Sequence, residues 1–502
     1  MAFIKITESL LNETLTENGD KAFKSTLSPC LDYFSLIGGK REYVNDAASL
    51  FLRAFLEDHA TALKLLFYTR DIRHGLGERR IFRFLFNSFA LSYPDIAFKF
   101  ISYIPEYGRY DDLLCALETP IEEAIIDFIT KQLYEDLENK KNGKPVSLLA
   151  KWLPSINTSN DDARAMALYL AKRLNMSNAD YRKTLSFLRK DLIIENNLRE
   201  KQYDFDYSKV PSVALNKYNE AFVRNDQQRF ANYLADVSVN KTKMNTAALD
   251  VVNFIKQVKI GKADTKEGLN YYETTWDALT KNAGINKRTI VVRDGSGSMT
   301  WGTGGNVSPL DIADAMALLT ASRLEGEFHN KFITFSSSPE LVSLDNCKNI
   351  LEKVRLLKTY DDYSNTNIEL VYNLIFNVYS SPDFKKEDTI DQIIIISDMQ
   401  FDQATDFAGD KKLNSTFENF KSKFNGAGYK MPEIVFWNVN ARNTQVPVTK
   451  NELGVKLISG SSQNVIDLVT KNPSLDPLDF MKQVLTRYAF VDEVLKEDKD
   501  VK

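Results

Sequence analysis

Thr289-Ile-Val-Val-Arg-Asp-Gly-Ser-Gly-Ser-Met299 is the stretch on which the reading of this chain turns. It begins as a short β-branched run, the pattern of a buried strand, and stops abruptly at Asp294-Gly295-Ser296-Gly297-Ser298. A carboxylate and two hydroxyls alternate there with glycines, which permit the tight, partly left-handed backbone that side chains would obstruct. Three oxygens can therefore converge at the carboxyl end of one strand. Oxygen donors in small number suit a hard divalent cation, Mg2+ above all, with Mn2+ or Ca2+ as the other choices. Taken by themselves, these five residues read equally well as a Ser/Gly-rich turn.

Two later segments favour the site. Asp391-Gln-Ile-Ile-Ile-Ile-Ser-Asp398 is a second strand-like run ending in a carboxylate, and Ser364-Asn-Thr-Asn367 sets Thr366 in a polar loop ahead of a helical pattern. An Asp-x-Ser-x-Ser turn, a loop threonine and a strand-end aspartate, in that order, resemble the metal-ion-dependent adhesion site of von Willebrand factor A domains. The resemblance implies hydroxyl ligands from Ser296, Ser298 and Thr366, with Asp294 and Asp398 acting mostly through bound waters. It also implies one open position for a partner's carboxylate or another acceptor oxygen. Arg293 departs from the pattern: a charge in an apolar strand, it either reaches the surface or pairs with an acid.

Around this stretch, strand and helix patterns alternate, which predicts a parallel α/β sheet, and the resemblance to A domains implies that it is doubly wound and Rossmann-like. Strands are expected at 289–294, 331–336, 391–397, 433–439 and 455–459, and helices near 309–325, 367–380, 412–425, 463–471 and 476–495. In open sheets of this kind ligands bind outside the carboxyl ends of the strands, where Asp294 and Asp398 fall.

Toward the amino terminus the apolar spacing becomes helical. Ala47, Leu50, Phe51, Ala54 and Phe55 lead on to Leu63, Leu66 and Phe67, and further helices are expected near 79–92, 94–104, 109–117, 120–138 and 161–174. Ser177 or Asn178 reads as the N-cap of another helix that runs to about 194, and residues 1 to about 25 as a short helix or strand followed by a loop. Turns such as Tyr93-Pro94 and Thr119-Pro120 give the look of stacked helical pairs, though no repeat is exact enough to name its type. The expected units are 1–285, helical; 286–475, α/β; and 476–502, a terminal helix and tail.

Composition narrows the function classes. The 502 residues exceed one ordinary core, and 43% hydrophobic with 26% charged residues is a soluble globular balance. A net charge of -4 gives no global nucleic-acid signature, so any RNA contact must be a local patch. No apolar run of roughly 18 residues predicts a membrane span, and the amino terminus lacks a secretory pattern, so a cytoplasmic protein with no membrane partner is expected. Cys30, Cys115 and Cys347 read as reduced thiols. Three histidines give a Cys/His zinc cluster no support, and no phosphate-binding P-loop motif is present. Paired aspartates with a cation occur in hydrolases, but no base or nucleophile accompanies them here, so no enzymatic activity is expected.

Two basic clusters stand out in the helical half. Arg70, Arg73, Arg79, Arg80 and Arg83 face only Asp71 and Glu78, a local charge of +3, with Gly75 and Gly77 allowing close backbone approach. Farther on, Arg182, Lys183, Arg189 and Lys190 share one expected helix, in a region where Trp152 and tyrosines interleave with cations. Each cluster is either a solvated or ion-paired helix face or a phosphate-contacting patch, and the interleaved aromatics are either core or stacking platforms for single-stranded RNA.

A helical-repeat half joined to an adhesion-type A domain resembles the Ro autoantigen, or TROVE, ribonucleoprotein family, and more closely a Ro-like branch found in bacteria, viruses and some eukaryotes. The residues that carry the resemblance are Arg70-Asp-Ile-Arg-His-Gly-Leu-Gly-Glu-Arg79, Met176-Ser-Asn-Ala-Asp-Tyr-Arg-Lys183, Tyr207-Ser-Lys-Val-Pro-Ser212, Asp294-Gly-Ser-Gly-Ser-Met299 and Ser397-Asp-Met-Gln-Phe401. It implies a ring of HEAT-like helical repeats closed by the A domain, and a non-enzymatic function in binding small structured non-coding RNAs and misfolded RNA ends. The alternative is a protein-binding scaffold that captures an acidic residue of a partner through the cation, without RNA.

Overall fold

The computed structural model describes residues 11–190, 192, 194–281, 285, 287–300, 307–336, 338–361, 368–401 and 416–496. A hairpin of β1 (Glu13–Leu15) and β2 (Lys21–Phe23) opens the described chain. Mostly helical structure follows, through the helix Lys266–Thr280, and then a mixed sheet. Its strands are β3 (Thr289–Asp294), β4 (Lys331–Phe335), β5 (Leu341–Ser343), β6 (Gln392–Ser397), β7 (Glu433–Asn438) and β8 (Val455–Ser459), in the order β5-β4-β3-β6-β7-β8. All neighbours run parallel except β5, which lies antiparallel to β4.

The isoleucine run explains why β6 is central. Successive side chains leave a strand on opposite faces. Ile394 and Ile396 join one apolar core, with Val291, Val435 and the helix Pro309–Arg323, while Ile393 and Ile395 join a second core, with Ile290, Val292 and the helix Ile368–Tyr379. Both faces are covered, so the strand needs no polar side, as in parallel sheets generally. The five expected strands and the helices around them are present within a few residues. The antiparallel β5 edge and the hairpin β1-β2 were not anticipated. In the helical half, the stretches expected as helices at 94–104 and 109–117 are largely 3-10 turns, Phe98–Tyr103 and Tyr110–Ala116. Pro105 lies between them, where it lacks the N–H that a continuous helix would need.

Of the units expected at 1–285, 286–475 and 476–502, the second holds one core of its own, and a larger core is shared by all three. One apolar cluster runs from Leu31 and Phe67 through Ile394 to Val491. The hairpin bonds to the α/β half, with Phe23 and Val446 exchanging backbone hydrogen bonds at 2.9 Å and the Thr16 hydroxyl donating to the Phe401 carbonyl at 2.6 Å. The helices Pro477–Leu485 and Phe490–Lys496 return to the helical half. There Phe490 stacks on Tyr103 at 4.5 Å, Lys64 pairs with Asp492 at 2.7 Å, and the Tyr488 hydroxyl donates to Asp71 at 3.0 Å.

The helical arc meets the α/β half at both of its ends. At the first, Gly38 N–H donates to the Ser459 hydroxyl at 2.9 Å, and a Cβ on Gly38 would lie 2.6 Å from the Gly460 backbone. At the second, Glu273 accepts from Ile350 N–H at 2.6 Å and Lys259 pairs with Asp311 at 2.9 Å. Among the described residues no helix is long and apolar enough to cross a membrane.

Arg293 pairs with acids inside the protein. It is fully buried, its guanidinium pairs with Asp314 at 2.6 Å and with Asp361, and it donates to the Tyr360 carbonyl at 3.1 Å. Two residues on, glycine is needed, because a Cβ on Gly295 would sit 2.7 Å from the guanidinium and 3.0 Å from the Tyr360 carbonyl oxygen. Removing one partner of a buried ion pair strands the other charge, at a cost of about 3–5 kcal/mol. Arg293→Met is therefore expected to lower stability by about 3 kcal/mol or more in chemical denaturation followed by circular dichroism. Gly38→Ala overpacks a backbone contact and should cost about 1–3 kcal/mol. Gly426→Ala, where a Cβ meets nothing within 4 Å, should change stability by less than about 0.5 kcal/mol in the same measurement.

Candidate metal centre and basic cavity

Sheet order places the carboxylates together. From β3 the chain moves to β4 on one side, and it later returns to β6 on the other side of β3. The carboxyl ends of β3 and β6 therefore flank the crevice where the winding direction reverses. Arg293 pairs with Ile396 in the ladder, so Asp294 stands beside Ser397 and one residue short of Asp398.

The two oxygens of Asp294 are held from both strands. Oδ1 accepts from Ser296 N–H at 2.9 Å and Oδ2 from the Ser397 hydroxyl at 2.6 Å. The hydroxyls of Ser296 and Ser298 lie 3.1 Å apart. Asp398 accepts from Gln400 N–H at 3.3 Å and from Arg442 Nη2 at 3.0 Å, with the Ser298 side chain also bonded to it. Burial, reinforced by the charge of Asp398, pushes the Asp294 carboxyl up to about 7. Burial likewise raises Asp398, against the opposing pull of Arg442.

These residues fit a hard cation. Every donor is an oxygen, and two neighbouring carboxylates with raised pKa share the site, with Arg442 bonded to Asp398. Among the described residues no group of three or more His, Cys, Asp or Glu has metal-holding geometry, so an ion here would rely on hydroxyls and water beside the carboxylates. Asp294, Ser296, Ser298 and Asp398 are thus brought together, and Thr366 lies outside the described residues. Sequence reasoning missed Arg442. Its signal was its place, four residues beyond β7 on a loop at the same carboxyl edge as the aspartates. Arg442 also pairs with Glu17 of the amino-terminal hairpin at 3.1 Å, tying that hairpin to the site.

The basic clusters divide. Arg70 is buried and pairs with Asp112 at 2.6 Å, and Arg83 pairs with Asp112 at 2.7 Å and Asp111 at 2.8 Å. Both are corrections to the expected phosphate patch, because interior carboxylates already hold their guanidinia. Arg189 is half-buried and held differently, its guanidinium engaged by the Ala150 and Leu153 carbonyls and the Ser155 hydroxyl, none of them charged. Arg73, Arg79, Arg80, Arg182, Lys183 and Lys190 remain exposed. Of these, Arg73 donates to the Glu106 carbonyl at 2.6 Å and Arg80 pairs with Glu42 at 3.0 Å.

Sequence reasoning did not find a second basic feature, a large concavity. A cavity of about 730 Å³ lies between the helical arc and the loop 461–464 that follows β8. That loop joins both ends of the arc, with Asn464 donating to the Gly75 carbonyl at 3.1 Å and Gln463 to the Ala247 carbonyl at 3.2 Å. Arg41, Arg109, Lys151 and Lys217 line the cavity against Glu195 and Asp250, Arg41 being paired with Glu78 at 2.6 Å and Arg109 with Asp111. Arg109 lies 3.8 Å over the Trp152 ring, and the Lys217 ammonium is 4.7 Å from the Tyr218 ring. These cations come from segments as far apart as 41 and 217, which no linear patch of charge reveals.

Comparison with known proteins adds the following. Residues 288–496 match a family described as a domain of unknown function, DUF7788, and residues 16–95 and 171–287 match another, DUF2828. The crystal structure of the Deinococcus radiodurans RO (RSR) protein is 12% identical and aligns over 93% of this chain and 99% of its own, with a TM-score of 0.33. At that level neither chain path nor function transfers. Uncharacterized protein L728 of Acanthamoeba polyphaga mimivirus is 31% identical, over 95% of this chain and 88% of its own. The chain belongs to the family of that mimivirus protein and carries the DUF2828 and DUF7788 regions in that order.

Proposed function

We propose that this protein is a non-enzymatic, Ro-type RNA-binding protein whose helical arc is closed by a cation-binding von Willebrand factor A-like domain. The observation that carries the reading is the large cavity, in which Lys151 beside Trp152 and Lys217 beside Tyr218 combine charge with flat aromatic faces. Single-stranded RNA needs both: cations follow its backbone, and exposed bases stack on aromatic rings at about 1–3 kcal/mol each. An overall acidic chain confines such contacts to places of this kind.

Ser296 and Ser298 would hold Mg2+ or Mn2+, with Asp294 and Asp398 acting mostly through water. The ion would supply an electrophilic position for an acceptor oxygen. Its capture of an acidic residue of a partner protein is the second reading, favoured by Ser298, which is only half-buried at the edge of the site.

Retention of a single-stranded RNA across a salt series tests the first reading. Each phosphate contact in a single strand contributes about 0.7 to the slope of log affinity against log salt, so Lys151→Gln with Lys217→Gln should lower that slope by about 1.4. Absence of RNA binding by the wild type, or an unchanged slope in the double variant, would remove the cavity from the reading. For the cation, calorimetry with Mn2+ should show saturable binding that Asp294→Ala abolishes. Equal heats from both proteins would dismiss the metal assignment.

A further inference from the structure

A smaller cavity, of about 260 Å³, lies apart from both sites, between the loop after Trp152, the helix Asn178–Arg189 and the helix Ile194–Glu200. Arg182, Arg189 and Arg199 line it with Ser155, Asn196 and Tyr181, and no described carboxylate does. Arginines on an exposed helix commonly face only water, so the case rests on Arg189. That guanidinium is half-buried, and each of its nitrogens is bonded: Nε to the Ala150 carbonyl at 2.7 Å, Nη1 to the Ser155 hydroxyl at 2.6 Å, and Nη2 to the Leu153 carbonyl at 2.5 Å. All three acceptors are neutral, so its charge is fixed in place without a counter-ion. Two of its five N–H groups stay unspent.

The other groups point to an anion as well. Arg182 makes no ion pair or hydrogen bond with a described residue and is exposed beside the cavity. Arg199 donates to Asn196 at 3.2 Å and reaches Glu200 only at 3.8 Å. Ser155 accepts from Arg189, so its own proton is free to be donated. A carboxylate would occupy one guanidinium fork, whereas two forks, a hydroxyl and a third fixed positive charge match a group with three or four acceptor oxygens and up to two negative charges.

We propose that this cavity is a phosphate-binding site, with Arg182, Arg199 and Ser155 contacting the oxyanion and Arg189 as the fixed charge beside it. The group is either the terminal phosphate of an RNA strand or a free phosphate or small phosphate ester. The site does not depend on the RNA reading, since inorganic phosphate alone tests it. Calorimetric titration of the full chain with inorganic phosphate at low ionic strength should give saturable binding. Arg182→Gln combined with Arg199→Gln, both exposed positions, should weaken that binding by at least about 10-fold, as expected for lost charge-assisted hydrogen bonds. Circular dichroism checks that the variant is folded.

The source follows from a second titration, comparing a 5′-phosphorylated with a 5′-hydroxyl oligonucleotide. A preference for the former, lost in the double variant, supports a terminal phosphate. Equal binding of the two, with phosphate still bound, supports a free phosphate or small ester. No saturable phosphate binding by the wild type, or equal affinity in the double variant, overturns the proposal, whatever the cavity between arc and sheet does with RNA.

Discussion

Backbone against backbone at Gly38 and Gly460 is the contact on which the rest of the architecture depends. No side chain fits there, so the first helices come close enough for Gly38 N–H to reach the Ser459 hydroxyl at the end of β8. Gly39 repeats the arrangement, where a Cβ would meet Ala441 N at 2.5 Å. Gly460 itself has φ +112, a conformation open to glycine and strained for other residues. With this end fastened and the helices around Lys259 and Glu273 fastened at the other, the space between is an open cavity walled by both halves.

Buried and half-buried arginines recur as the means of holding irregular segments. Arg293 links β3 to Asp314 and Asp361, Arg70 and Arg83 meet at Asp112, and Arg189 gathers two carbonyls and a hydroxyl from a single loop. A guanidinium suits this work because its donors radiate in a plane and can satisfy several acceptors at once. Such pairs cost desolvation, and they are weak evidence for stability in themselves. Their value here is geometric: each connects elements that no regular ladder connects.

That also explains how much could be read beforehand. The sheet was legible because β3, β6 and β7 are continuous apolar runs, and because Asp294 and Asp398 end theirs at the same edge. β5 and the hairpin β1-β2 were not, since three residues of strand carry no period to detect. Arg70, Arg83 and Arg189 look no different in sequence from the exposed Arg79 and Arg182. Their fates were decided by Asp112, some forty residues from Arg70, and by carbonyls that carry no mark in the sequence. Charge along a chain predicts a patch only where local partners settle the matter, and here distant ones did.

The interlock of Lys64 with Asp492 and of Phe490 with Tyr103 and Tyr107 bears on how the protein is made. Some 430 residues separate Lys64 from its partner, so the early helices emerge from the ribosome long before the surface that covers them exists. Until synthesis reaches the 490s, a sticky aromatic flank waits in the open, and a cell producing this chain must shelter it from aggregation for that interval.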